Sequence, residues 1–394
     1  MATSTSHTRR VLVLASSGAG GDLPPLMAVA VGLRERGVGL LFVGDASVAE
    51  AARGLDAESD VVVAPREHDL GPVIIGAIRD TQGRPEAERG QVMRQRIAEW
   101  SAGIAALVVE TLRARPCDLV LTSLFGTGAA DLAAGEMALP WVVVNSTFYV
   151  GPRPPRPLAM DFSARAVPLF EYLVPPLERA ARVLHATDQA FDFGYADLPP
   201  HHRYAGPLLW EPPSASAPAY LDEPGDPWVL ATISSQLQDD QALGQAVLDG
   251  LAEQPVRVLL TTGGTRGADA FEVPPNARVE PYVSHAAALR KSAVFVSHAG
   301  HGSVMKALTH GVPMVLVPWG RDQPGVAARA EHLGVAVVVR REGLTPSALS
   351  EATERVLAKP SYARTAGVHA ERLRQQDPRA VACDEVVAVP KWRI

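Results

Sequence analysis

Short apolar runs alternate with helix-like stretches along the first half of the chain. Each run has four or five residues and predicts a buried β-strand, and these strands lie at 11–15, 39–43, 61–64, 118–122 and 141–145. The stretches between them predict helices at 25–36, 88–115 and 128–137. Because strands and helices alternate, we expect a parallel sheet whose ligands lie at the carboxyl ends of its strands.

The same rhythm restarts after a proline-rich stretch at 211–227 that has the composition of a linker. A helix is predicted at 239–253, and strands are predicted at 228–233, 256–261, 279–280, 293–296, 313–317 and 335–339. We therefore expect two parallel α/β domains with a ligand cleft between them. The expected boundaries are an N-terminal domain at 1–212, a linker at 213–227, a C-terminal domain at 228–375, and a segment at 376–394 that packs back on the N-terminal domain.

Residues 150–176 interrupt the rhythm of the first half. The segment is rich in proline but also carries Met160, Phe162 and Phe170. Apolar side chains in so long an insertion indicate a functional element, and we expect them, with Phe148, to form a wall of an acceptor pocket. The alternative is a surface loop held by a few buried anchors.

Composition and charge exclude several classes of partner. The 394 residues are 47% hydrophobic and 20% charged, which is ordinary for a two-domain globular protein. The net charge of −6 and the lack of a basic run argue against nucleic-acid binding. No apolar stretch approaches the roughly 18 residues of a membrane span, and the run at 11–15 is too short for a signal peptide. We expect a cytoplasmic protein, either a monomer or a homodimer, with no membrane insertion.

A glycine-rich loop, SSGAGGDLPPL at 16–26, follows the first predicted strand. Counted from Gly18, the third glycine of a dinucleotide fingerprint falls on Leu23, so the loop is not that phosphate cradle. Asp22 has two interpretations. It either caps the helix that follows, as aspartate often does, or it presents a carboxylate to the cleft.

The most informative pattern lies between residues 280 and 333. The strand at 293–296 leads into His298, and Gly300 and Gly302 open a helix whose first backbone N–H groups favour an anion. After the next strand, the polar loop PWGRDQ at 318–323 again lies at a strand's carboxyl end. A phosphate and a polyhydroxylated group are thus expected side by side. The alternative is an ordinary βα turn with a buried histidine.

This order of motifs closely resembles the nucleotide-sugar-dependent glycosyltransferases of the GT-B fold, family 1 type, which include natural-product glycosyltransferases. The matching residues are His298, Gly300, Gly302, Ser303, Ala307, Gly311, Val312, Pro313, Pro318, Asp322 and Gln323. The resemblance implies two Rossmann-like domains facing each other across a cleft. It also implies an inverting transfer of sugar from a UDP- or dTDP-linked donor to a lipophilic acceptor such as a polyketide or aromatic aglycone.

The resemblance also implies which residues contact the donor. The diphosphate would be held by His298 and by the backbone of Gly300, His301, Gly302 and Ser303. The sugar hydroxyls would be contacted by Trp319, Asp322 and Gln323. The base would be contacted by Tyr282 and Val283, and the phosphates, from the opposite strand end, by Thr232, Ser234 and Ser235. Because no D-x-D occurs in the chain, we expect no metal and no bound cofactor.

Several positions depart from the usual family pattern. Lys306 stands where an acidic residue commonly holds the ribose, and Ser234 stands where a glycine is usual. In the first loop Asp22 replaces the general-base histidine, and Ser123 replaces that histidine's aspartate partner. A subset of bacterial members resembles this chain in having Gly-Asp there, which implies that Asp22 is the general base. A nucleotide-sugar epimerase and a non-catalytic nucleotide-sugar-binding protein remain as alternatives.

Overall fold

A computed structural model describes residues 9–390 except 19, 57–58, 152–160, 213–214, 216, 236–237 and 239. Two β-sheets organise these residues, one in each half of the chain, and every strand pairing between neighbours is parallel. The expected fold class, two parallel α/β domains, is confirmed. The described part of the chain contains no helix both long and apolar enough to cross a membrane.

The N-terminal sheet has seven strands in the order β3-β2-β1-β4-β5-β6-β7. The strands are β1 (Arg10–Leu14), β2 (Gly39–Gly44), β3 (Asp60–Val63), β4 (Leu119–Ser123), β5 (Trp141–Asn145), β6 (Arg182–His185) and β7 (His202–Tyr204). The helices are α1 (Leu23–Glu35), α2 (Ala46–Leu55), α3 (Leu70–Asp80), α4 (Glu86–Ala114), α5 (Thr127–Met137) and α6 (Val167–Leu173). The strand order reverses between β1 and β4, and at such a switch point open α/β sheets bind ligands.

The C-terminal sheet has six strands in the order β10-β9-β8-β11-β12-β13. They are β8 (Trp228–Thr232), β9 (Arg257–Thr261), β10 (Ala277–Glu280), β11 (Ser292–Ser297), β12 (Met314–Leu316) and β13 (Ala336–Val338). The helices are α7 (Gln241–Leu251), α8 (His285–Leu289), α9 (His301–His310), α10 (Gln323–His332), α11 (Pro346–Ala358), α12 (Pro360–Arg374) and α13 (Pro378–Val387). Here the switch point lies between β8 and β11.

The last helix returns to the N-terminal domain. The side chain of Cys383, on α13, is buried in the apolar cluster that also contains the inner face of α1. Two ion pairs flank this contact: Arg36 binds Asp384 at 2.7 Å, and Arg182 binds Glu385 at 2.8 Å. The chain thus crosses between its two domains a second time, after the linker.

Candidate active site between the two domains

Asp22 lies at the switch point of the N-terminal sheet, in the loop between β1 and α1. Its carboxylate accepts a hydrogen bond of 3.0 Å from the backbone N–H of Phe125, which follows β4. It accepts a second, short hydrogen bond from the hydroxyl of Ser146, which follows β5. The side chain is only 2% exposed. The carboxyl ends of three neighbouring strands therefore converge on one buried acid.

The interpretation of Asp22 as a helix cap is wrong, and the reason is in the sequence. A capping carboxylate accepts from the N–H of the second or third helical residue. In α1 those residues are Pro24 and Pro25, which have no N–H, and Asp22 makes no capping bond. The cap in this region is Asp45, whose carboxylate accepts from the N–H groups of Ser47 and Val48 at the start of α2.

The surroundings of Asp22 change its acidity. Burial raises the pKa of this carboxyl above its ordinary value of 3.8, because the charged form loses its solvation. The hydrogen bonds from Ser146 and Phe125 oppose that shift, and the negative charge of Asp322, in the other domain, adds to it. Asp22 is therefore a stronger base than an exposed aspartate, and part of the increase in its pKa comes from the charge of Asp322 on the opposite side of the cleft.

Asp322 ends the loop between β12 and α10, whose conformation is held by Gln323. The amide oxygen of Gln323 accepts from the backbone N–H groups of Trp319 at 2.8 Å and Gly320 at 2.9 Å. Its amide nitrogen donates to Gln238 at 3.1 Å. Both ends of the Gln323 side chain are thus engaged within the C-terminal domain, and loss of solvation raises the pKa of Asp322 as well.

His298 lies at the switch point of the C-terminal sheet, directly after β11. It is 8% exposed, and burial lowers the pKa of its imidazole, so the ring is neutral at pH 7. Its Nδ1 lies 4.0 Å from the carboxylate of Asp240 and has no hydrogen-bond partner among the described residues. Gly300 makes room for the ring, since a Cβ there would lie 2.6 Å from Nε2.

Helix α9 starts beside His298 with its N-terminus uncapped. Its N-cap residue is Gly300, so no side chain accepts from the first N–H groups within the described structure. Those groups, from His301, Gly302 and Ser303, remain for an anion. The His301 side chain is buried toward the N-terminal domain, and burial together with the charge of Arg329 lowers the pKa of its ring to about 3.

The residues predicted to contact the base, and those of β8 and its following turn predicted to contact the phosphates, differ in exposure. Tyr282 is 66% exposed, its hydroxyl donates to the carbonyl of Gly263, and its ring lies over Gly264, where a Cβ would be 2.8 Å from it. Val283, Thr232 and Ser234 are buried, and Ser235 is exposed. The exposed aromatic face of Tyr282 is therefore the part of this region open to a flat ligand.

Lys306 does not stand free for a phosphate. Its ammonium lies 2.9 Å from the carboxylate of Glu211, the residue just before the linker. Glu211 also accepts from the hydroxyl of Ser284 at 2.8 Å. Burial is the largest single influence and raises the pKa of Glu211, but the charge of Lys306 and the hydrogen bonds from Lys306 and Ser284 together lower it. Lys306 thus joins α9 to the residue that precedes the linker.

The three described aromatic residues of the predicted acceptor wall are buried. Phe148, Phe162 and Phe170 form one cluster, with ring centroids 5.4 Å and 3.8 Å apart along the series. Their burial agrees with the interpretation of the segment as a surface loop held by a few buried anchors. Their contact with an acceptor stays a prediction. Met160 lies outside the described residues.

Sequence reasoning overlooks Ser146, Asp240, Arg329 and Glu211. Ser146 follows a predicted strand directly, so the rule that ligands lie at carboxyl ends was enough to find it. Glu211 and Arg329 are recognisable only by partners distant in the chain. Among the described residues no group of three His, Cys, Asp or Glu side chains is arranged to bind a metal.

Comparison with known proteins shows which families and structures the chain resembles. Residues 245–388 match the family model described as "Erythromycin biosynthesis protein CIII-like, C-terminal domain". A 4'-demethylrebeccamycin synthase of Lentzea aerocolonigenes is 32% identical over 196 residues, which are 49% of this chain and 45% of that protein. A PGL/p-HBAD biosynthesis rhamnosyltransferase of Mycobacterium bovis is 36% identical over 172 residues, 43% of this chain and 37% of that protein. The matched region thus spans less than half the length of these relatives.

Solved structures match the whole chain. The calicheamicin glycosyltransferase CalG4 superimposes with a TM-score of 0.76 at 21% identity, covering 97% of this chain and 98% of that one. Identity this low shows the fold and no more. The GT-B fold is confirmed, and so is the resemblance that the motifs indicate.

Proposed function

We propose that the protein is an inverting glycosyltransferase that moves a sugar from a UDP- or dTDP-linked donor to a hydroxyl of a lipophilic small molecule. The observation that carries this proposal is the buried carboxylate of Asp22, held at one switch point of the fold and within the field of Asp322 from the other domain. The relatives named as a rebeccamycin synthase and a rhamnosyltransferase support the reaction class.

In the proposed reaction Asp22 takes the proton of the acceptor hydroxyl as its oxygen attacks the anomeric carbon of the donor. The bond from that carbon to the diphosphate oxygen breaks on the opposite face, and the nucleoside diphosphate leaves with the bonding electrons. Attack and departure on opposite faces invert the anomeric configuration. The raised pKa of Asp22 brings it closer to that of an effective general base, while Phe125 and Ser146 hold the carboxylate in place.

The charge that develops on the leaving diphosphate is stabilised by the C-terminal domain. The uncapped start of α9 offers backbone N–H groups and the positive end of the helix dipole. We propose that His298, which is neutral and lies directly before the start of α9, donates a further hydrogen bond to the diphosphate. Preorganised donors of this kind supply much of the acceleration in comparable sites. Tyr282 offers an exposed ring for stacking of the base.

The test is a transfer assay with UDP- and dTDP-hexoses and a panel of hydroxylated aromatic and polyketide acceptors, followed by mass spectrometry. We expect an acceptor whose mass rises by one hexosyl unit, together with an equal amount of nucleoside diphosphate. Conversion of the donor to an epimer without glycoside indicates an epimerase. Donor binding without diphosphate release indicates a non-catalytic binding protein. Either of these two results refutes the proposal.

A further inference from the structure

Arg329, on α10 of the C-terminal domain, is completely buried and binds two carboxylates of the N-terminal domain. Its Nε donates to Asp192 at 2.7 Å, and its Nη1 donates to Asp161 at 2.8 Å and to the carbonyl of Gly325 at 2.9 Å. A buried charge is tolerated only when it is paired and hydrogen-bonded. The guanidinium therefore connects the two domains at a point inaccessible to water.

The surroundings of Arg329 fix its position closely. Its guanidinium carbon lies 3.6 Å from the ring centroid of Phe148 and 4.6 Å from that of Phe193. Asp192 is itself held by the hydroxyl of Tyr204 at 2.8 Å and by the backbone N–H of Tyr149 at 3.0 Å. The carboxylate that Arg329 binds is thus part of the rigid frame of the N-terminal domain.

A second contact joins the same two parts of the chain at Ser163. Its backbone N–H donates to the carbonyl of Arg321 at 2.8 Å, and its hydroxyl accepts from the N–H of Arg321 at 2.9 Å. Arg321 has φ of +56°, a left-handed conformation that a non-glycine residue adopts only when its surroundings impose it. Ser163 therefore contributes to the shape of the loop that carries Asp322.

Both contacts act on the loop that carries Asp322. Asp322 is the N-cap residue of α10, and Arg329 lies about two turns further along the same helix. Gly325 lies so close to the N-terminal domain that a Cβ there would be 2.7 Å from the carbonyl of Asp161. His298 and α9, in contrast, follow strand β11 and make none of these hydrogen bonds. The ring of His301 is affected by the charge of Arg329, and a lysine at position 329 keeps that charge.

We propose that Arg329 and Ser163 are positioning residues that set the distance of the Asp322 loop from Asp22. This inference rests on the proposed function, in which that loop contacts the donor sugar while α9 and His298 contact the diphosphate. The consequence is a division of the donor's affinity. The part contributed by the sugar depends on Arg329 and Ser163, and the part contributed by the nucleoside diphosphate does not.

The experiment measures dissociation constants by titration calorimetry for UDP, UDP-glucose, dTDP and dTDP-glucose. The dissociation constant of each bare nucleotide, divided by that of its sugar donor, gives a ratio that measures how much the sugar contributes to affinity. Arg329→Lys keeps the charge but loses the forked geometry that binds both carboxylates. We expect it to lower the sugar-dependent ratio about tenfold while the affinity for UDP or dTDP is unchanged, because small misplacements in such sites have large effects. Ser163→Ala removes only the hydroxyl, and we expect the ratio to fall about threefold.

The matched control is Arg372→Lys. Arg372, on α12, also joins the domains, through two bonds of 2.6 Å and 2.7 Å to Asp188, but it does not contact the Asp322 loop. We expect this variant to keep the wild-type ratio. A control that lowers the ratio as much as Arg329→Lys shows that any interdomain ion pair has the effect, and it overturns the proposal.

Two further results contradict the inference. The inference is overturned if Arg329→Lys has the same ratio as the wild type. It is also overturned if the variant loses affinity for the sugar donor and the bare nucleotide equally, because that result indicates a purely structural role for Arg329. If Arg329→Lys does not fold, an unchanged ratio in Ser163→Ala is decisive against the inference. Wild-type protein that binds none of the four compounds refutes the proposed function itself, which distinguishes that failure from this one.

Discussion

Substitution of Asp22 by asparagine separates the chemical role of this side chain from its structural one. Each oxygen of the carboxylate accepts one close hydrogen bond, from the N–H of Phe125 or from the hydroxyl of Ser146. The hydroxyl of Ser123 also lies near enough to lower the pKa of Asp22. Asparagine keeps both bonds, because its oxygen accepts from Phe125 while its NH₂ donates to the Ser146 oxygen, whose hydroxyl hydrogen is free to rotate. The variant also removes a buried charge. We therefore expect its free energy of unfolding to stay within about 1 kcal/mol of the wild type.

Turnover responds differently, since an amide does not take a proton from an alcohol. Losing a general base lowers kcat by about 10²–10⁴-fold, which corresponds to about 3–5 kcal/mol in the activation barrier. Donor affinity stays nearly constant because the donor contacts lie in the other domain.

In the wild type, kcat/KM falls in acid as Asp22 is protonated. Because the pKa of this carboxyl is raised, that fall is centred above pH 3.8.

The assay measures diphosphate release with a saturating acceptor, beside thermal unfolding of the same samples. The control is Asp45→Asn. Both oxygens of this buried carboxylate accept from backbone N–H groups, one from Ser47 and Val48 and the other from Ser17. An asparagine there turns its NH₂ toward a donor, so we expect a lower melting temperature, with a much smaller loss of kcat than in Asp22→Asn. Wild-type turnover in Asp22→Asn, or a loss of activity that follows the loss of stability, refutes the reasoning.

The remaining predictions concern the donor site and pH. His298→Ala should weaken UDP or dTDP binding by about 1.5–3 kcal/mol, because it removes a hydrogen bond to a charged group, and an unchanged affinity by calorimetry places the histidine outside the site. EDTA should leave the affinity of the wild type for UDP or dTDP unaltered. Loss of binding on chelation contradicts an anion site formed by the backbone N–H groups at the start of α9. His202 and His301 have a pKa of about 3 when folded, against 6.5 when unfolded, so the unfolded chain binds protons first as pH falls. Stability should thus drop by about 1 kcal/mol per histidine between pH 7 and 5.5, and denaturant titrations that coincide at these pH values contradict this.

Eleven of the thirteen described strands could be predicted from the sequence, because a strand of a parallel sheet that is covered on both faces appears as a continuous apolar run. Strand β5 (Trp141–Asn145) is found with its observed bounds. Strands β6 (Arg182–His185) and β7 (His202–Tyr204) are missed because they are short and contain polar residues.

Helices α2 and α3 are missed although both are amphipathic, because both are short and α3 contains Gly71, Pro72 and Gly76, which are unusual inside a helix. Their N-caps, Asp45 and Asp69, are the signal that locates them.

From the sequence, the site residues could be predicted only where they lie in a loop that follows a predicted strand. Asp22, His298 and Asp322 each follow a strand, so the rule of carboxyl ends brings them to one cleft. The partners that set their properties are distant in sequence and reach the cleft only through folding. Ser146 bonds to Asp22 across more than a hundred residues, and Arg329 binds Asp192 from the other domain.

In the proposed reaction the base lies on one domain and the departing diphosphate on the other, so attack and departure occur on opposite faces of the sugar. The most direct measurement is the anomeric configuration of the product formed from an α-linked UDP- or dTDP-hexose, read from the proton coupling constant of its anomeric centre by NMR. We predict a β-glycoside. An α-glycoside contradicts the direct displacement assisted by Asp22.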